Sequence, residues 1–227
     1  MRSSNSYPSI RMDGRRSFLT RLGALAAAAG LVPVVRAQAA PGDGTTLFLA
    51  GDDTLRPMPA DDPWMAKLRG SKRVVFHSHM PTEALALRWA EVFLNTQAGS
   101  YGVAESDCGV VVGLNGSSIG WLFNDRMWSR YPVVGQTMNA VGSANPYTAL
   151  AGSLVSRGVI LLACQNSLRL AGSRFLSQTE RASEAARNAF YEEARSNLLP
   201  GVEVVPSMVV TLQQAQDRGC RYVYAGG

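Results

Sequence analysis

Residues 158–167 read Gly-Val-Ile-Leu-Leu-Ala-Cys-Gln-Asn-Ser, and most of the architecture can be inferred outward from them. The five apolar residues at 159–163 have the length and composition of a buried β-strand. Polar residues that can open a helix follow directly, and Arg157-Gly158 is typical of the end of a preceding helix. The stretch therefore predicts a helix, a buried strand and a second helix in close succession.

Four further short apolar runs accompany this strand, and segments with helical spacing separate them. The other predicted strands cover residues 72–78, 108–114, 202–205 and 222–224. The predicted helical segments cover residues 84–96, 121–131, 146–155, 173–197 and 207–217. Apolar strands that alternate with helices are typical of a parallel sheet covered on both faces. The sequence therefore predicts one layered α/β domain with a mostly parallel sheet of about five strands.

The first 39 residues have the zones of an export signal. Arg15-Arg16-Ser17-Phe18-Leu19 resembles the core of the twin-arginine motif S/T-R-R-x-F-L-K, whereas Gly14 and Thr20 depart from its flanks. An almost entirely apolar run follows at residues 22–35, and Ala37-Gln38-Ala39 fits the small-x-small pattern that a signal peptidase accepts. We therefore expect residues 1–39 to be a twin-arginine signal peptide and the protein to be periplasmic or otherwise exported.

Two segments are expected after the signal. Residues 40–70 are rich in Pro, Gly and Asp and predict a flexible N-terminal arm, and residues 71–227 hold the domain. No later apolar run approaches the ~20 residues of a membrane-spanning helix. We therefore expect no stable membrane insertion after cleavage.

The positive charge of the chain is concentrated in the signal. The formal net charge is +5, but six of the 22 basic and one of the 17 acidic residues lie before residue 40, so that 16 of each remain. A neutral mature protein has no electrostatic attraction to phosphate. A nucleic-acid partner is therefore not expected.

Three cysteines, Cys108, Cys164 and Cys220, lie beyond the signal. In open α/β sheets reactive groups gather beyond the carboxyl ends of strands, where Cys164 is predicted to lie. A thiol at a helix N-terminus is stabilised as the nucleophilic thiolate. The alternative is that Cys164 is an inert packed thiol, which is also the expected role of Cys108 and Cys220. A disulfide between Cys164 and either of them stays open at this point.

The only two histidines, His77 and His79, alternate along the end of the first strand. They are candidates for a metal pair that needs a third ligand, with Cys164 or Glu83 as the possible third ligand. They are also candidates for a packed and a solvated histidine with no special chemistry. If the first and third strands are neighbours, either imidazole can instead lie near Cys164 and help to ionise it.

Asn166 and Ser167 follow the candidate nucleophile. Their side chains can cap the next helix, or they can hydrogen-bond a persulfide or a bound anion. The chain has no Gly-x-Gly-x-x-Gly, phosphate-binding loop, Cys-x-x-Cys or serine nucleophile elbow. No cofactor is therefore expected.

Three motifs resemble the DsrE/DsrF-like sulfur-relay family. They are Gly158-Val159-Ile160-Leu161-Leu162-Ala163-Cys164-Gln165-Asn166-Ser167, Leu199-Pro200-Gly201-Val202-Glu203-Val204-Val205-Pro206-Ser207 and Gly219-Cys220-Arg221-Tyr222-Val223-Tyr224. Val74-Val75-Phe76-His77 also fits the first strand of that family, so the resemblance covers roughly residues 72–227. It implies a three-layer α/β/α fold, assembly into a homo-oligomer and a persulfide carried on Cys164.

Two regions depart from the family pattern. About 35 residues separate Cys164 from Pro200, which indicates an inserted or extended helix at 173–197, and residues 113–145 do not align with the simpler members. Known members also pass sulfur between cytoplasmic partners, whereas this chain carries an export signal. The resemblance therefore transfers the fold more directly than the substrate.

The functional hypothesis is an exported sulfur carrier, similar to a sulfurtransferase. Cys164 takes sulfur from a sulfane-sulfur donor, holds it as a persulfide and passes it to an acceptor thiol, with His77, Asn166 and Ser167 as candidate binding residues. The alternative is a non-catalytic binding or assembly module of the same fold with a structural Cys164. A third hypothesis is a metal-binding protein that uses the two histidines.

Overall fold

A computed structural model of the protein describes residues 62–226. Five strands form one sheet in the order β4-β3-β2-β1-β5, and every pair of neighbours is parallel. The strands are β1 (Lys72–Ser78), β2 (Cys108–Leu114), β3 (Ile160–Cys164), β4 (Val202–Val205) and β5 (Arg221–Tyr224). The predicted strands are confirmed, and the sheet is entirely rather than mostly parallel.

Eight α-helices accompany the sheet in the described part of the chain. They are α1 (Leu85–Tyr101), α2 (Asp125–Arg130), α3 (Pro132–Thr137), α4 (Thr148–Ser156), α5 (Gln165–Phe175), α6 (Gln178–Arg181), α7 (Glu184–Ser196) and α8 (Met208–Asp217). Three short 3₁₀ helices lie at Pro63–Lys67, Glu105–Asp107 and Gly116–Leu122. None of the helices in residues 62–226 is long and apolar enough to cross a membrane.

Alternation along the strands produces two apolar faces. On β1, Val74 and Phe76 join a large core with helices α1, α4, α5 and α7. Val75 joins a smaller core on the opposite face, where Met208 of α8 packs. Both faces of a parallel sheet carry apolar side chains, and helices must pack on both faces to bury them. The protein is therefore a three-layer α/β/α domain, as expected.

The central strand β2 is buried at all seven residues. It lies between β1 and β3, with Val111 paired to Val75 on one side and to Ile160 on the other. A strand buried on both faces reads as a continuous apolar run in the sequence, which is what residues 108–114 show. β2 therefore separates the end of β1 from the end of β3 by the width of one strand.

The segment between α5 and β4 packs on the same chain. Of the two arrangements expected at 173–197, one surface helix or a pair, the structure has the pair α6 and α7, because Ser177 and Glu180 form a capping box that starts a new helix. Phe190 of α7 is fully buried against Phe123 and Phe175. This segment therefore contributes to the core of its own domain.

The domain begins earlier than the sequence predicts. Trp64 and Met65 lie in the 3₁₀ helix Pro63–Lys67 and join the smaller core, with Trp64 only 1% exposed. The predicted start of the domain at residue 71 is therefore too late. The short turn among Pro and Asp residues has the composition of a loop, but it places a tryptophan in the core. The predicted signal peptide and residues 40–61 of the predicted arm lie outside the described residues.

Candidate functional site

The carboxyl ends of all five strands lie at one edge of the sheet, because the strands are parallel. β1 ends at Ser78, β2 at Leu114 and β3 at Cys164. Five candidate residues lie at or just after the ends of these three strands: His77, His79, Asn115, Cys164 and Ser167. We call this group the carboxyl-edge site. Ligands of open α/β sheets bind beyond this edge.

Cys164 closes β3 and is at the same time the N-cap residue of α5. Its side chain is 4% exposed, and its Sγ accepts a hydrogen bond from the backbone N–H of Met208 at 3.4 Å. A backbone N–H aimed at sulfur, beside the N-terminus of an eleven-residue helix, is complementary to negative charge on that sulfur. The local geometry therefore suits an anionic sulfur species, whereas the burial restricts access to it.

Met208 is the residue that covers Cys164 from α8. Its side chain lies over Gly113 of β2, where the Sδ atom is 2.5 Å from the position that a Cβ would occupy. Any side chain at position 113 would therefore displace Met208. Gly113 and Cys164 together hold the first residue of α8 against the sheet.

Arg174 adds a positive charge on the same helix that starts at Cys164. Its Nη1 atom is buried and has no hydrogen-bond partner in the described part of the chain. Burial lowers the pKa of the Arg174 guanidinium, and the charge of Cys164 acts in the opposite direction. Arg174 lies in the last turn of α5, at the end of the helix opposite Cys164.

Neither Asn166 nor Ser167 caps α5, so that prediction is wrong. The strand runs into the helix without a loop, and the N-cap position therefore falls on Cys164 itself. The buried Ser167 instead accepts a hydrogen bond through Oγ from the N–H of Gly116 at 2.9 Å. Asn166 is half-buried and makes no side-chain hydrogen bond to the residues that the structure describes.

His77 and His79 converge on the side chain of Asn115. His77 Nε2 lies 3.0 Å and His79 Nδ1 lies 3.2 Å from Asn115 Oδ1. Because an amide oxygen only accepts hydrogen bonds, both nitrogens carry hydrogen and donate to it. His77 Nδ1 is then an acceptor, and the Tyr222 hydroxyl donates to it at 2.9 Å. Asn115 and Tyr222 therefore fix the tautomer of His77.

Burial is the main influence on the titration of His77. It lowers the pKa of the imidazole below the ordinary 6.5, the hydrogen bond with Asn115 raises it, and the charge of His79 lowers it. The rings of Tyr222 and Tyr224 lie 5.9 and 5.7 Å from the His77 ring and contribute to that burial. His77 is therefore neutral near pH 7.

The pairing of the strands does not place the histidines beside Cys164. His77 pairs with Gly113 of β2 and with Tyr224 of β5, and β2 separates β1 from β3. A histidine on β1 could help to ionise Cys164 only if the first and third strands were neighbours. They are not neighbours. Glu83 is exposed and paired with Arg88 at 3.0 Å. Residues 62–226 contain no group of three or more His, Cys, Asp or Glu residues placed to hold a metal ion.

Gly116 connects the histidine half of the site to the cysteine half. Its φ of +57° favours glycine, and a Cβ at this position would lie 2.5 Å from the His79 ring. Its N–H donates to Ser167, in the first turn of α5. Asn115 and Gly116 were missed in the sequence, although Asn-Gly directly after an apolar strand is a turn signal that marks this edge.

Cys108 and Cys220 lie outside the carboxyl-edge site. Cys108 begins β2 at the opposite edge of the sheet, and Cys220 immediately precedes β5. Burial raises the pKa of both thiols, and the negative charges of Asp107 and Glu105 add to the effect at Cys108. All three cysteines are free, so neither of the two possible disulfides with Cys164 is formed.

The fold and the site together define a three-layer α/β/α protein with an all-parallel five-stranded sheet and a cysteine at its carboxyl edge. No protein-family model and no curated protein matches the chain. A solved structure of a protein of unknown function, MTH1491 from Methanobacterium thermoautotrophicum, is similar at 21% sequence identity and a TM-score of 0.42. The similarity covers 68% of this chain and 99% of that one.

The first testable prediction concerns the titration of His77. Its pKa should lie below 6.5, and Asn115→Ala should lower it further because the Asn115 hydrogen bond raises it. NMR titration of the imidazole signals measures both values, and His79→Gln assigns the two signals. A His77 pKa at or above 6.5 contradicts the described burial.

The same shift gives the sign of a stability effect. An unfolded histidine has the ordinary pKa and protonates first, so the His77 contribution disfavours folding as the pH falls from about 6.5 towards the lower native value. As the pH falls through this window, the His77→Gln variant should therefore lose less free energy of unfolding than the natural protein. Denaturant unfolding at each pH measures both values.

Proposed function

We propose that this protein carries sulfur as a persulfide on Cys164. The observation that supports the proposal most directly is the position of the thiol, at the carboxyl end of β3 and the N-cap of α5, with the Met208 N–H directed at Sγ. These groups favour an anionic sulfur, and a persulfide is a stronger acid than a thiol and is anionic at neutral pH.

Two displacement steps account for the transfer. In the first, the Cys164 thiolate attacks the outer sulfur of a sulfane-sulfur donor, the S–S bond of the donor breaks, and the donor leaves as a thiolate. In the second, an acceptor thiolate attacks the outer sulfur of the Cys164 persulfide, and Cys164 leaves as the thiolate. Each step forms one S–S bond and breaks another, so neither an oxidant nor a reductant is needed.

Access to the sulfur depends on α8. With Cys164 4% exposed and Met208 held over Gly113, a donor reaches Sγ only after the first turn of α8 moves away from the sheet. Val209 and Val210 of that turn are 74% and 43% exposed, whereas Met208 and Thr211 are each 1% exposed, so opening of the turn must expose these two buried side chains. Opening of this turn is therefore the step that admits donor and acceptor.

We also propose that the carrier works outside the cytoplasm as a homo-oligomer. The support for export is the Arg15-Arg16 motif with the apolar run and Ala37-Gln38-Ala39 behind it. Replacement of both arginines by lysine should retain the protein in the cytoplasm, as followed by cell fractionation, and unchanged export would exclude the twin-arginine route.

A binding or assembly module with a structural cysteine is the second candidate function. The burial of Cys164 favours it, since buried free cysteines are usually inert. Tyr222 and Tyr224 are also 43% and 44% exposed on the outer strand β5, where a partner can pack. In this alternative Cys164 contributes packing alone and never holds sulfur.

The sulfur content of the protein after treatment with a persulfide donor separates these two candidates. After incubation of the full chain with an organic persulfide donor and removal of the excess, intact-mass spectrometry should show one added sulfur atom on Cys164. Cys164→Ser should reduce the sulfur bound to background, because neither of the other two thiols lies at the N-terminus of an α-helix.

Matched controls come from the other two thiols. Cys108→Ala and Cys220→Ala should retain the added sulfur, since burial keeps both thiols protonated and neither belongs to the site. If the folded protein gains no sulfur, or if Cys164→Ser gains as much as the natural chain, the sulfur-carrier proposal is wrong and the binding module becomes the better account.

A further inference from the structure

The imidazoles of His77 and His79 direct one nitrogen each towards the same point. That point is occupied by Asn115 Oδ1, at 3.0 Å from His77 Nε2 and 3.2 Å from His79 Nδ1. The two nitrogens and this oxygen are three potential ligand atoms, spaced as neighbouring ligands of one metal ion are. This arrangement is what a metal ion with two imidazole ligands requires.

The second nitrogen of His77 is already provided for. A ligating histidine normally keeps its other ring nitrogen hydrogen-bonded, which fixes the orientation of the ring. When His77 Nε2 has no proton, Nδ1 carries it and donates to the Tyr222 hydroxyl, which is 2.9 Å away and can equally accept. The change of tautomer therefore keeps the Tyr222 hydrogen bond and frees Nε2.

The His79 ring can move to bring its nitrogen to a bound metal ion. Imidazole nitrogens bind zinc-like ions at about 2.0–2.1 Å, so the nitrogens must turn from Asn115 Oδ1 towards an ion that lies beside it. His77 lies on β1 and is held by Tyr222, whereas His79 is exposed beyond the end of the strand. The His79 ring lies on Gly116, which has no side chain to obstruct it. The exposed ring therefore supplies the movement.

We propose that His77, His79 and the Asn115 side-chain oxygen bind one divalent transition-metal ion at the end of β1. Imidazole nitrogen is preferred by Ni²⁺, Cu²⁺ and Zn²⁺, whereas Mg²⁺ and Ca²⁺ prefer several carboxylates. Two imidazoles and one amide leave the remaining coordination positions to water, so the ion is exchangeable. The site does not use Cys164 and is independent of the proposed sulfur chemistry.

Nickel titration of the full chain, with any affinity tag removed, tests the proposal. Since His77 and His79 are the only histidines in the sequence, isothermal titration calorimetry should detect one imidazole-dependent ion per chain. His77→Gln and His79→Gln should each abolish this binding. Tyr222→Phe, which removes the outer hydrogen bond and leaves all three ligands, should weaken it about 10-fold or more.

Two further variants separate metal binding from damage to the fold and from the sulfur chemistry. Asn115→Asp should bind Ni²⁺ more tightly than the natural protein, because a carboxylate replaces an amide oxygen at the same position, and a damaged fold would not produce this gain. Cys164→Ser should bind Ni²⁺ unchanged whether or not the chain carries sulfur. Absence of Ni²⁺ binding, or binding that survives the histidine substitutions, would overturn the proposal.

Discussion

The parallel pairing of β1, β2 and β3 is the constraint on which the remaining structure depends. β2 is buried at every residue, and its registration with both neighbours places the ends of the three strands at one edge. Burial of apolar strands on two faces provides the main driving force for this arrangement. His77, Asn115 and Cys164 share an edge because of this register, although nearly 90 residues separate the first from the last.

The same constraint divides the edge into two chemical halves. On the β3 side, Cys164 lies beneath Met208 at a helix N-terminus, which suits anionic sulfur. On the β1 side, the His77 and His79 imidazoles converge on Asn115, which suits the proposed metal ion. Gly116 and Ser167 join the halves through one hydrogen bond, so that the two proposed activities are neighbours with separate residues.

Local patterns in the sequence were sufficient for the strands, the layered class and the position of Cys164. The order of the strands was not predictable, because five similar apolar runs carry no signal for which of them become neighbours, and the relation of His77 to Cys164 depends on that order. Capping by Asn166 or Ser167 was wrong because β3 joins α5 without a loop. Asn115 was missed because its role requires β1, β2 and β5 together, and export stays a prediction from the first 39 residues.

The accessibility of Cys164 in the folded protein distinguishes a sulfur carrier from a protein with a packed core thiol. Iodoacetamide labelling can be followed in the full chain with Cys108 and Cys220 replaced by alanine, while the rate of global unfolding is measured in parallel. If Cys164 carries sulfur, it is labelled well before the chain unfolds, at a rate set by local opening of the first turn of α8. Labelling that occurs only at the rate and with the denaturant dependence of global unfolding would contradict the sulfur-carrier proposal and leave Cys164 as a packed core residue.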